Sequence, residues 1–347
     1  MTRPFAERVV AWQRTHGRHD LPWQDTRDPY RIWVSEIMLQ QTQVTTVLPY
    51  YLRFMARFPD VAALAAASDD EVLAHWSGLG YYRRAHYLHA AAKAVVVEHG
   101  GAFPRDAATL ATLPGIGRST AAAISAFSSG ASHAILDGNV KRVLARHRGV
   151  EGWPGAPKVE AVLWQAADAL VPATEVEAYT QGLMDLGATV CTRSAPACDR
   201  CPVAEDCVAL REGRVDELPS PRPQKALPQR ALRVLVIERG GEILFEKRPP
   251  LGIWGGLWSL PECALDEDAA AVVATRFGAH ARPGDALPPI AHGFTHFGLT
   301  LHPLRMSAAR WPAQAGAPLT TWLTPEDALA AALPAPIRRL VRSLGGA

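Results

Sequence analysis

Apolar residues recur at helical spacing from residue 4 to about 191, and short breaks rich in Gly, Pro and Asp at 25–29, 77–80, 100–104 and 113–117 divide the pattern. An all-helical domain is predicted there. At about 100° per residue, Trp33, Ile37, Val44, Leu48 and Tyr51 fall within about 60° of one another, so this stretch reads as one helix with a core-facing stripe. Glu36 and Gln40 sit at one edge of the stripe and Gln41 on its other flank. Beyond residue 230 the period shortens. Runs at 231–237, 242–247, 289–294 and 299–304 are β-like between Gly/Pro turns, with helix-like stretches at 266–277 and 325–332. They predict a smaller α+β domain. Residues 213–230 hold four prolines and no period, which predicts a semi-extended linker. The expected plan is a helical domain at 1–212, a linker at 213–230 and a second domain at 231–347.

Composition narrows the function classes. The chain carries 36 Lys plus Arg against 34 Asp plus Glu, and a net charge of +2 excludes a polycation; any nucleic-acid surface must be local. The segment from Met1 to Glu7 has no apolar core, and nowhere do about 18 apolar residues run together, so neither a secretory leader nor a membrane span is predicted. The expectation is a soluble, monomeric cytoplasmic protein.

Five cysteines are too few for a disulfide scaffold, and four of them, Cys191, Cys198, Cys201 and Cys207, follow the spacing C-x6-C-x2-C-x5-C. Four thiolates so close in sequence can enclose one tetrahedral ion or one cubane cluster, and cysteine alone leaves zinc and iron–sulfur both open. Cys263 stands apart and reads as a buried small hydrophobe.

Upstream, Leu113-Pro114-Gly115-Ile116-Gly117-Arg118-Ser119-Thr120 places two glycines just before a helix expected near Ser119. Backbone N–H groups and a helix N-terminus can there approach a phosphate, in the form of a helix-hairpin-helix. Further on, Asp137-Gly138-Asn139-Val140-Lys141-Arg142 opens another helix, for which Asp137 suits the N-cap. Lys141, Arg142, Arg146 and Arg148 then make a basic face fit for backbone phosphates.

The order of this hairpin, this aspartate and this cysteine pattern resembles the endonuclease III superfamily of base-excision glycosylases. Within it, Ser35-Glu36-Ile37-Met38-Leu39-Gln40-Gln41-Thr42-Gln43-Val44, Gly78-Leu79-Gly80-Tyr81-Tyr82 and Gly152-Trp153-Pro154 are similar to the adenine DNA glycosylase (MutY) family. The likeness continues through Arg248-Pro249 and the segment from Gly252 to Glu262, and so covers nearly the whole chain. It implies one [4Fe–4S] cluster on the four cysteines and, as partner, double-stranded DNA in which adenine is mispaired with 8-oxoguanine or guanine. Partner proteins stay open.

Cleaving a purine N-glycosidic bond needs protonation of the leaving base and stabilisation of an oxocarbenium-like sugar. Glu36, at the margin of the apolar stripe, should have a raised pKa and donate the proton, while Asp137, among amides and cations, should stay ionised. By resemblance Glu36 protonates adenine, Asp137 faces the sugar cation with Asn139 beside it, and Gln41 and Tyr81 intrude into the stack beside the lesion. Leu79 is a candidate wedge. Gln40, Gly115, Gly117, Arg118, Lys141 and Arg142 complete the expected DNA contacts. Bifunctional relatives carry a lysine where this chain has Ser119; a hydroxyl forms no Schiff base, so the expected enzyme is monofunctional. The second domain resembles a Nudix fold without its carboxylate core, reading Leu-Asp-Glu-Asp-Ala-Ala-Ala there. That argues against a nucleotide pyrophosphatase. Instead Phe294, Thr295 and His296 match the loop that reads the oxidised guanine.

Overall fold

The computed structural model describes residues 3–223, 226–250, 252–312 and 319–345. They form two compact units, Met1–Ala66 with Tyr87–Gln224, and Ala67–His86 with Lys225–Ala347. In chain order the first helices are α1 (Phe5–His16), α2 (Pro29–Leu39), α3 (Val44–Arg57), α4 (Val61–Ala66), α5 (Asp69–Trp76) and α6 (Arg83–His99). They are followed by α7 (Ala107–Leu110), α8 (Arg118–Ser129), α9 (Gly138–Arg148), α10 (Pro157–Leu170), α11 (Val176–Asp185) and α12 (Val208–Arg211). A π-helical turn at Leu186–Val190 and a 3-10 turn at Cys198–Arg200 lead through the cysteine segment.

The single helix expected through residues 33–51 is two. Asp28 caps α2 by accepting the Tyr30 N–H, with Pro29 at the first helical position where no N–H is needed. The helix ends at Leu39, a turn is closed by the Thr42 N–H donating to the Leu39 carbonyl, and Gln41 sits in the left-handed region at φ 57°. The Gln-Gln-Thr-Gln run has no apolar side chain to hold a further turn against the core. An angular test counts only rotation, so it passes over such a break.

Two close approaches position the hairpin and the start of α9. The hairpin before α8 turns at Gly115 (φ 77°), where a Cβ would lie 2.6 Å from Cβ of Tyr87, so only glycine fits. On the other side, a Cβ on Gly187 would lie 2.5 Å from Cβ of Asn139, which brings the π-helical turn against the first turn of α9. Just before that turn, Asp185 is fully buried and accepts hydrogen bonds from the Arg18 backbone N–H (2.9 Å), the Arg18 guanidinium (2.7 Å) and Gln181 (2.8 Å). The start of the expected linker is packed rather than extended: Leu218 is buried, and its carbonyl accepts from Arg146. Residues 224–225 of that linker lie outside the described residues.

The second unit is a mixed sheet of β1 (Gln229–Arg239), β2 (Glu242–Lys247), β3 (Trp258–Ser259), β4 (Glu262–Cys263), β5 (His280–Ala286), β6 (Ile290–Gly293), β7 (Gly298–Arg310) and β8 (Thr320–Leu323). Its main path runs β3-β2-β1-β7-β5. β1 and β7 are parallel over ten paired residues, and the other pairings are antiparallel. Helices α13 (Ala269–Phe277), α14 (Pro325–Ala330) and α15 (Ala335–Leu344) complete it. Cys263 is buried there, as expected. The division at residue 212 misplaces one segment. Helix α5 and the turn after it belong to this unit, where His86 meets the Gly255 carbonyl (3.0 Å), the Tyr82 hydroxyl donates to Leu333 (3.2 Å) and Arg338 donates to Ser77 (2.7 Å).

Removing one partner of a buried ion pair leaves the other uncompensated. Asp185→Ala should lower the stability of the first unit by about 3 kcal/mol, read as a shift of its urea midpoint. A loss below about 1 kcal/mol would show the Arg18 pair to be dispensable.

Candidate active site and cysteine centre

Glu36 on α2 and Asp137 at the N-cap of α9 line one cleft of about 1910 Å³, with Gln40, Gln41, Ser119 and Asn139. The structure thus brings together residues scattered over a hundred positions. Burial pushes the Glu36 carboxyl up from 4.5 to about 8, and the Asp137 charge adds to the push. Asp137 accepts the Val140 N–H at 2.7 Å. The amides of Val140 and Asn139 and the cations Arg142 and Lys141 pull its pKa down, yet burial outweighs them and raises it. The expectation that Asp137 stays ionised is therefore opposed by burial and favoured by its amides and cations. Two carboxyl groups enclosed together hold charge poorly and share protons as a pair. The Val140 amide favours the charged form of Asp137, which leaves Glu36 as the member that keeps the proton.

Around the pair, Ser119 ties the hairpin to Asp137: its hydroxyl accepts the N–H of Leu136 at 2.9 Å, one residue before the aspartate. The Gln40 amide reaches Thr120 at 3.4 Å. Gly117 caps α8, which starts at Arg118, one residue before the expected position. Arg118 lies over the Trp164 ring at 3.8 Å and pairs with Asp168, while Lys141 pairs with Glu160 at 2.7 Å.

The basic face expected along α9 is partly turned inward. Arg142 donates to the carbonyls of Cys191 (2.7 Å) and Gly187 (2.6 Å) and to the Asn139 side chain (2.9 Å). Arg146 is buried and donates to the carbonyls of Leu218 (2.8 Å), Thr192 (2.6 Å) and Arg193 (3.2 Å), with Cys191 Sγ at 3.4 Å. Loop carbonyls without partners in regular structure need donors, and these guanidinium forks supply them. Arg146 is thus not part of a phosphate-facing surface. No local signal in the sequence marks Asp185, Gly187 and Arg146 as supports of the site.

Cys191, Cys198, Cys201 and Cys207 line one cavity with apolar walls that include Val143, Val190 and Val203. Burial, then neighbouring thiols, push Cys201 up to about 12, and burial also raises Cys198 and Cys207. Thiolates here need a cationic centre to compensate them. Among the described residues no group of His, Cys, Asp or Glu is gathered to hold a single ion.

In the second unit, Phe294, Thr295 and His296 form the turn between β6 and β7, closed by the Phe294 N–H donating to the Phe297 carbonyl at 2.9 Å. Phe294 stacks on Phe297 at 4.4 Å, while Thr295 and His296 are exposed. Leu79 is 5% exposed and packs inward, whereas Tyr81 is 49% exposed. A buried leucine in this turn supports it and is not presented as a wedge.

A helix-hairpin-helix set beside a cleft lined by two buried carboxyl groups accords with a DNA base glycosylase. Residues 34–168 match the HhH-GPD superfamily of base excision DNA repair proteins, and residues 233–343 match a NUDIX domain. The adenine DNA glycosylase of Buchnera aphidicola subsp. Acyrthosiphon pisum is 35% identical over 86% of this chain and 85% of its own length. The Homo sapiens protein of the same name is 32% identical over 99% of this chain and 74% of its own length. A solved thermostable thymine-DNA glycosylase is 30% identical with a TM-score of 0.55, covering 60% of this chain and 95% of that one. The chain belongs to the adenine DNA glycosylase family. No helix among the described residues is long and apolar enough to cross a membrane.

The raised Glu36 pKa sets a pH limb. A proton donor must be protonated, so single-turnover base release at subsaturating protein should fall about tenfold per unit as pH rises beyond about 8. The stability sign agrees: the folded carboxyl binds its proton more tightly than the unfolded one, so stability drops as pH rises from 4.5 to about 8. Glu36→Gln should abolish base release and raise the melting temperature relative to the parent at high pH, with little change at low pH.

Proposed function

We propose that the protein is a monofunctional glycosylase that hydrolyses the N-glycosidic bond of adenine mispaired with 8-oxoguanine or guanine in duplex DNA. The observation that carries this reading is the enclosed Glu36 and Asp137 pair with Ser119, and no lysine, at the hairpin. The adenine is extruded from the stack into the cleft, which costs a few kcal/mol. Glu36 donates its proton to the adenine ring as the bond to C1′ breaks, so the base departs neutral. The Asp137 carboxylate faces the positive charge that develops on the sugar, and Asn139, held by Arg142, keeps the first turn of α9 in place. A water then adds to C1′ and loses a proton to the Glu36 carboxylate, leaving an abasic site and an intact strand. Amides at Gly115 and Gly117 meet the backbone, and Arg118, in an exposed pair of small worth, and Lys141, in a half-buried one, exchange carboxylates for phosphates. Gln41, from its left-handed break, and Tyr81 enter the stack. Thr295 keeps the hydroxyl with which a serine would meet the oxidised guanine.

The cysteine cavity fits a [4Fe–4S] cluster: four thiols line one cavity with apolar walls, and the family likeness favours the cluster over zinc. Such a group, when bound, neutralises the thiolates and orders the loop whose carbonyls Arg142 and Arg146 grip. Cys201→Ser should lose iron and sulfide together and weaken duplex affinity; iron loss with affinity unchanged would confine the group to no role in DNA binding.

Incubation with a duplex carrying one adenine opposite 8-oxoguanine tests the reaction. Strand breakage only after hot alkali, absent in Asp137→Asn, is expected. Breakage without alkali, or a covalent adduct trapped by borohydride, would make the enzyme a lyase. No base release by protein with intact cysteine loading would overturn the enzymatic reading.

A further inference from the structure

The turn between α5 and α6 is bent against the ordinary preferences of its backbone. Gly78, Gly80 and Tyr81 all lie at positive φ, at 101°, 76° and 50°. Glycine takes such values freely, but a tyrosine does so only where its surroundings over-determine it. Tyr81 is nevertheless half exposed, so core packing on its ring does not impose the conformation. The constraint comes from beneath. Arg84 is a buried cation whose guanidinium donates to the carbonyls of Gly80 (3.1 Å) and Leu79 (3.4 Å), the two residues that precede Tyr81. Its carbon Cζ lies 5.3 Å from the Trp76 ring centre and 5.5 Å from that of Tyr81. Trp76 donates its indole N–H to the same Gly80 carbonyl at 3.1 Å, and the backbone N–H of Arg84 donates to the Tyr81 carbonyl at 2.9 Å. Enclosure also holds the Arg84 pKa down to about 10, so a charged group is kept buried under this turn.

We propose that Arg84 is a positioning residue that presets Tyr81 to enter the DNA stack beside the extruded adenine. The inference rests on the reading that Tyr81 intrudes into DNA. A guanidinium suits the task, since one of its nitrogens donates to both carbonyls while its flat carbon centre lies 5.3 and 5.5 Å from the two ring centres. Lysine keeps the charge but not the flat, delocalised group beside the rings. Presetting matters because a side chain already held in its bound conformation loses little freedom on contact.

A double-mutant cycle in the full-length protein tests this, using a duplex with adenine opposite 8-oxoguanine and 2-aminopurine as the neighbouring base, whose fluorescence rises on unstacking. Tyr81→Ala should reduce the unstacking signal and the apparent affinity about tenfold, the scale of one lost base–aromatic stack. Arg84→Met should cost about as much in the parent but less than about twofold in the Tyr81→Ala background, because both act through one ring. The pH limb of base release should not move, since Glu36 is untouched. An equal loss in both backgrounds, or no loss in either, would overturn the role of Arg84. If Arg84→Met does not fold, Arg84→Lys runs the same cycle. If Tyr81→Ala is without effect while base release persists, the intrusion reading falls and the Arg84 proposal with it, but the glycosylase reading stands.

Discussion

Two carboxyl groups enclosed in one cleft cannot both hold their charge at low cost, and the arrangement around Glu36 and Asp137 follows from that constraint. Burial raises both, and the Asp137 charge further discourages that of Glu36. What separates them is hydrogen bonding. Asp137 stands at a helix start with amides aimed at it and two cations nearby, whereas the influences resolved on Glu36 all favour its proton. Without the asymmetry the pair could still share one proton, but nothing would fix which carboxyl carries it, and the reaction needs the acid and the carboxylate in set places.

Helix α9 is where that asymmetry is anchored. Its first turn presents Asp137 and Asn139 to the cleft, while Arg142 and Arg146 reach back to carbonyls of the cysteine loop. Gly187 lets the π-helical turn come against Asn139, and Ser119 holds the residue before Asp137. The acid end of the helix and the cysteine cavity are thus two ends of one braced rod. A change at Cys191 has a path of hydrogen bonds to the cleft that passes through a single guanidinium.

Much of this could be read from the chain. The apolar stripe put Glu36 at a protected edge, the Pro-Gly-x-Gly hairpin and Asp137 announced their turns, and the cysteine spacing announced a metal-type centre. What stayed hidden was tertiary. A cation looks the same in sequence whether it faces phosphate or a buried carbonyl, so Arg146 read as surface. The left-handed Gln41 gave no sign, because a polar run can continue a helix or end one. Strand β5, with Pro283 and Gly284 inside it, lacks alternation and survives because it lies at the edge of the sheet's main path, where a missing N–H is tolerated. The partners of α5 are more than a hundred residues away, beyond any local pattern.

That last feature has a bearing on how the protein is made. The second unit is discontinuous: residues 67–86 are synthesised early, and their partners at Gly255, Leu333 and Arg338 come only later, the last two near the C-terminus. At ribosomal rates the segment waits roughly 10–50 seconds for its partners. During that interval the nascent chain carries Trp76 and Leu73 uncovered, although both end fully buried. The first unit can close around its own core while this loop of chain stands out unpaired. A chain stopped at Gln224 would keep Trp76 and Arg84 beneath the Tyr81 turn but lose the flanking partners at Gly255, Leu333 and Arg338.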